Sequence, residues 1–196
     1  MTRGLLRPTH AARKLCWILG MIALACLARF WYLEEQGNFH AITPGEAYRS
    51  SQMDRDELEH YIRKYAICSV INLQGRHDGK GWYTEENDVC RETGIRHYDL
   101  NMTSDQAPSE SEIKALLDIY ETAPRPVLIH CQAGADRSGL AAALWKVAVD
   151  GAPKSEAQKQ LSVLLGHVPI GPTRALDEFI ENWHPPQSGQ SKVSAS

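Results

Sequence analysis

Val127-Leu128-Ile129-His130-Cys131-Gln132-Ala133-Gly134-Ala135-Asp136-Arg137-Ser138-Gly139 changes character twice in thirteen residues. Val127 to His130 is a short apolar run, the signature of a strand buried on both faces. From Arg137 to Val149 the run of Leu, Ala and Trp reads as a buried helix. The residues between them are small and polar, with Gly134 where a tight loop needs one. A strand entering a helix through a tight loop is half of a β-loop-α unit. It places the chain in the α/β class, with a central, mostly parallel sheet flanked by helices.

The flanking segments alternate in the same way. Ile67 to Leu73 (ICSVINL) and Ile95 to Leu100 read as further strands. Helices are expected at Asp54 to Tyr65, near Thr84 to Glu92, and after Ser109. There Ser109 and Glu112 have capping-box spacing and Ile113, Leu116, Leu117 and Tyr120 share one face. Ser155 with Gln158 reads as a second cap, and Thr173 to Trp183 as the last helix. Residues 34–184 thus form one domain, and the aperiodic tail 185–196 is expected to be disordered. Leu144 and Trp145 are read as core.

The loop has a chemistry of its own. A loop that leaves a strand and opens a helix turns successive N–H groups towards one point, and the helix dipole adds about half a positive charge there. The backbone from Gln132 through Ala133, Gly134, Ala135 and Asp136 to Arg137 is therefore a candidate phosphate cradle. Cysteines at such N-termini ionise readily, which makes Cys131 the candidate nucleophile. Arg137, six residues on, has the planar fork that grips two phosphate oxygens. Ser138 can donate a hydrogen bond to the sulfur, Gly139 permits close helix packing, and His130 reads as a buried partner that shapes the loop.

HCQAGADRSG resembles the phosphate-binding signature of the protein tyrosine phosphatase superfamily, His-Cys-x5-Arg-Ser/Thr-Gly, in its compact dual-specificity branch. Tyr48-Arg49-Ser50-Ser51-Gln52 and INLQGR are similar to the opening of bacterial-type members, and the likeness spans approximately residues 45–184. It implies a phosphocysteine intermediate, no metal, no cofactor, a phosphorylated protein substrate, and a general acid on a loop upstream. That acid is expected at Asp105, before Pro108, with Asp99 as the alternative. Asp136 departs from relatives that act on highly phosphorylated inositides, which place Lys or His in this loop, so a polyanionic substrate is disfavoured. The expected function is hydrolysis of phosphotyrosine, with phosphoserine and phosphothreonine also in range. The alternatives are a small non-protein phosphoester as substrate and a silent phosphopeptide-binding module. Sulfur transfer or arsenate reduction is disfavoured by the Arg137-Ser138-Gly139 ending.

Charge and composition narrow the reading further. Residues 1–14 are basic, and up to residue 33 the chain carries Arg3, Arg7, Arg13, Lys14 and Arg29 without an acid. The rest holds 16 basic against 24 acidic residues, which argues against a nucleic-acid partner. The cysteines, Cys16, Cys26, Cys68, Cys90 and Cys131, show no CxxC spacing, so no zinc site is expected. Leu15 to Leu33 is apolar but for Arg29 and, at about 1.5 Å per residue, nearly crosses a bilayer. The segment 15–33 is read as a transmembrane anchor, or as a signal sequence cut after Ala23-Leu24-Ala25. The basic residues before it and Glu34 and Glu35 after it put the N-terminus in the cytoplasm and the domain outside.

Overall fold

In the computed structural model, residues 10–35 and 37–186 are described, with the backbone alone for 29, 30 and 32–35. Arg3, Arg7 and tail residues 187–196 lie outside the described residues, as do the side chains of Arg29, Phe30, Tyr32 and Leu33. Five strands form one sheet in the order β1-β2-β5-β3-β4. They are β1 His40–Thr43, β2 Ala47–Ser50, β3 Ser69–Asn72, β4 Arg96–Asp99 and β5 Val127–His130. β1 and β2 pair antiparallel, and the other three pairings are parallel.

β5 is the central strand, paired with β2 on one side and β3 on the other. Its side chains alternate between two cores, as a period of two requires. Val127 and Ile129 pack with Ile71, Leu116, Tyr120, Leu140, Trp145 and Ile180. Leu128 packs on the other face with Tyr48, Leu58, Ile62, Val70 and Val89. The first core lies under α4 (Glu110–Thr122), α5 (Asp136–Ala148) and α7 (Arg174–Asn182). The second lies under α2 (Arg55–Tyr65) and α3 (Gly81–Thr93). Leu144 and Trp145 are fully buried, as core residues.

Asp54 and Ser109 cap α2 and α4, each in a complete capping box with the glutamate three residues on. The Ser155 expectation is overturned. A one-turn helix, α6 (Lys154–Ala157), starts at Pro153, no side chain caps it, and it runs straight into a 3-10 turn at Gln158–Gln160. Proline's fixed φ starts the turn, and four residues leave no room for a separate box. α3 starts at Gly81, three residues before the expected Thr84, and β1 and β2 were not marked by periodicity.

α1 (His10–Glu35) precedes the domain. Its stretch His10–Ala28 has a mean hydropathy of 1.7, and none of it is buried against the rest of the chain. By length and composition it is able to cross a membrane.

Candidate active site

The loop from Cys131 to Ala135 leaves β5 at the carboxyl end of the parallel sheet, where α/β folds place their ligands, and enters α5 at Asp136. Cys131 is 2 % exposed and its Sγ lies 3.5 Å from Ser138 Oγ in the first turn of α5. Arg137, half-buried, stands in the same turn. Thus the strand end and helix start bring Cys131, Arg137 and Ser138 to one loop, with the sulfur beside the hydroxyl. Gln132 and Ala133 are exposed on it, and Gly134 and Ala135 are buried.

Gly134 has φ +67, and a Cβ there would lie 2.4 Å from Ser51 N and 2.6 Å from Ser50 C. The loop therefore rests directly on the backbone after β2, an approach only glycine allows. Gly139 is similarly close-packed, with a Cβ meeting Gln160 O and Leu161 Cδ2 at 3.0 Å and Arg49 Nη2 at 3.1 Å.

Two side chains brace the loop from behind. Arg49 on β2 is fully buried, and its Nη2 donates to Gly134 O at 2.8 Å and Ala135 O at 2.9 Å. Its Nη1 donates to Gln160 O at 2.5 Å, while Nε finds no acceptor among the described residues. Burial lowers its pKa to about 10 against the opposing pull of Cys131 and Asp136, so it stays a cation at neutral pH. Asn38 Nδ2 donates to Ala133 O (3.1 Å), Gly134 O (3.0 Å) and Leu165 O (3.1 Å). The carbonyls of Ala133, Gly134 and Ala135 are thus all tied to the two braces.

Two buried histidine–carboxylate groups flank the loop. His130 Nε2 lies 2.9 Å from Glu86 Oε2, at bonding distance but off-line for a hydrogen bond, and Nδ1 has no hydrogen-bond partner among the described residues. Glu86 also accepts from His97 Nε2 at 2.7 Å. Burial opposes ionisation of Glu86, but the two histidines hold its pKa down at about 2. On the other side His167, fully buried, makes a 2.7 Å hydrogen bond to Asp136 Oδ1 and a 2.8 Å one to Asp177 Oδ2. The Asp136 carboxylate is therefore not without a partner, and it is tied to a side chain outside the loop.

A protein-family model described as a DSP-PTPase phosphatase fused to NAD+ kinase matches residues 37–168, which include the whole loop and both of its braces. The chain belongs to this family. The human dual specificity protein phosphatase CDC14A is 24% identical over 124 residues, 57% of this chain and 20% of that protein. The tyrosine-protein phosphatase cdc-14 of Caenorhabditis elegans is 22% identical over 156 residues, 73% of this chain and 21% of that protein. The chain thus spans about a fifth of the length of these relatives. Among solved structures, P. aeruginosa TpbA has a TM-score of 0.59 at 21% identity, covering 74% of this chain and 84% of that one. The catalytic core of the PP-IP phosphatase SIW14 from S. cerevisiae has 0.62 at 20%, covering 76% and 87%. These likenesses show the same fold, that of a compact dual-specificity-like phosphatase.

The two candidate acids differ in setting. Asp105 is exposed in the loop between β4 and α4. Asp99, at the end of β4, accepts from Asn72 Nδ2 at 2.9 Å and Tyr83 OH at 2.5 Å. All five cysteines are free. Cys90 is buried beside Glu86, which with desolvation pushes its thiol up to about 12, so it stays inert. Among the described residues no group of His, Cys, Asp and Glu is gathered to hold a metal.

Sequence reasoning missed Asn38, Glu86, His167 and Asp177 as parts of the site, and read Arg49 only as part of a resemblance. Glu86 did leave a signal, an acid on the apolar stripe Tyr83, Glu86, Val89, Cys90 of α3. His167 left none, because it lies in an irregular segment with no period to break.

Proposed function

We propose that the domain hydrolyses phosphotyrosine on proteins, with phosphoserine and phosphothreonine as further substrates, through a phosphocysteine. The observation that carries this reading is Cys131 Sγ beside Ser138 Oγ at a strand-to-helix loop whose carbonyls are tied back by Arg49 and Asn38. The Cys131 thiolate attacks phosphorus while the loop N–H groups and Arg137 hold the equatorial oxygens. The bond from phosphorus to the leaving oxygen breaks, and Asp105 gives that oxygen its proton. Asp105, now a base, takes a proton from the water that attacks the phosphocysteine. Inorganic phosphate leaves, and Ser138 donates to the departing sulfur.

TpbA, of like fold, has been solved as a cysteine-to-serine variant in complex with pTyr, which supports an aryl phosphate as substrate. A second reading, a small non-protein phosphoester, is favoured by the His167 partner of Asp136, which removes the loop's repulsion of polyanions. The fold shared with a PP-IP phosphatase agrees with it. We further propose that α1 is retained as an anchor, with the N-terminus cytoplasmic and the domain outside. The expectation of that orientation rests on the basic residues before the helix and the acids after it.

The test is turnover of an aryl phosphate and a phosphotyrosyl peptide by the full chain in detergent micelles. Cys131→Ser should abolish it, and Asp105→Asn should lower kcat by about 10² to 10⁴. Full activity in the serine variant would end the phosphocysteine reading. An inositol pyrophosphate hydrolysed far faster than the peptide would move the function to the second reading.

A further inference from the structure

Asp136 is the one acidic residue among Cys131–Arg137, the loop that the proposed function gives to phosphate. The fold does not leave it there alone. His167 Nδ1 bonds Asp136 Oδ1 at 2.7 Å, and its Nε2 bonds Asp177 Oδ2 at 2.8 Å. The imidazole is fully buried, while the two carboxylate side chains are 28% and 35% exposed. The three residues come from separate parts of the chain. Asp136 opens α5, Asp177 lies on α7, and His167 follows the segment whose Leu165 carbonyl is tied to Asn38.

A histidine that serves both ring nitrogens to carboxylates has a donor role at each, and only the imidazolium supplies two. We propose that His167 is a positioning residue of the phosphatase site: held between Asp136 and Asp177, it draws the loop's single acidic side chain aside and cancels its charge, so the cradle accepts a dianion. The charged groups around it agree. Asp136 faces it from α5 and Asp177 from α7, and the buried cation Arg49, which feels Asp136, braces the loop on the β2 side. Burial of His167 favours the neutral ring, but the hydrogen bonds and charges of the two acids raise its pKa above 6.5. The charge cancellation is therefore full in acid and is lost as pH rises through that raised value.

This inference rests on the phosphatase reading, and the experiment separates the two. The full chain in detergent is assayed with an aryl phosphate from pH 5 to 9, with inorganic phosphate as competitor. His167→Gln, which keeps a polar contact but no charge, should raise KM about tenfold with kcat little altered. On an Asp136→Asn background the same change should have no effect on KM, because the charge it cancels is gone. The KM ratio of His167→Gln to wild type should be largest in acid and approach one at high pH. An Asp177→Asn variant, which leaves the Asp136 bond in place, should show its own rise in KM at lower pH than wild type does, a comparison that needs no His167→Gln protein; coincident profiles would overturn the role. An equal KM rise on both backgrounds, or a pH-independent ratio, would overturn the positioning role and leave His167 as a structural tie. A wild-type chain that neither turns over the ester nor binds phosphate would instead refute the phosphatase reading.

Discussion

Glu86 sits on α3 where the spacing asks for an apolar side chain, and is 4% exposed. Buried acids are costly unless paired, and this one has two partners, His97 and His130. Because His130 directly precedes Cys131, the pair also fixes the point at which the loop leaves β5. Replacing Glu86 by Gln leaves two histidines facing a neutral amide, and breaking a buried pair in this way costs roughly 3–5 kcal/mol. Guanidinium unfolding of the full chain in micelles should show that loss near neutral pH. The pH dependence has a definite sign. The pKa of Glu86 falls from 4.5 to about 2 on folding, so its contribution is complete above 4.5 and fades as pH drops towards 2. The stability gap between wild type and Glu86→Gln should shrink over that interval, and a gap that stayed constant would mean the carboxylate is not the source.

At the scale of elements, the ends of α2 and α4 were legible and those of α6 were not. Asp54 and Ser109 each have a glutamate three residues on, and both boxes form. Ser109→Ala should cost about 1 kcal/mol in the same unfolding assay with KM unchanged, because the cap lies on the exposed surface. A shift in KM would mean that the start of α4 also sets the Asp105 loop. Strands β3 and β5 were readable because both faces of the sheet centre are covered, which makes their runs apolar, whereas β4 is a half-exposed edge strand of Arg96, His97, Tyr98 and Asp99 that was legible only through the flanking Ile95 and Leu100. β2 was not, since its Arg49 and Ser50 are polar yet fully buried. They are buried because the cysteine loop lies on them, which is a tertiary fact. The same reason limits the site. The residues that act through side chains or loop backbone, Cys131 to Gly139, are contiguous and left a pattern. Asn38, Glu86 and His167 are brought to the loop by the fold, from 93, 45 and 36 residues away from Cys131 respectively, and no local period records that.

For the whole molecule, the question is how the apolar helix α1 and the cysteine loop share one chain. α1 ends at Glu35, and Asn38, three residues on, already bonds the carbonyls of Ala133 and Gly134. At most about 3.6 Å of reach per residue keeps the start of the domain close to the helix end. A retained α1 therefore holds the phosphate loop within about 20 Å of that end, so substrate must be presented close to the bilayer face. This reading expects the full chain to stay with membranes after alkaline carbonate extraction, at its full mass of 21.9 kDa. Cleavage after Ala25 would instead yield a shorter chain beginning at Cys26. Sidedness follows from the same sample. Protease added to sealed vesicles with the outer face exposed should cut the joint near Glu35 and release phosphatase activity into the supernatant. Activity that is released only when the vesicles are opened would place the domain on the cytoplasmic side and reverse the charge-based assignment.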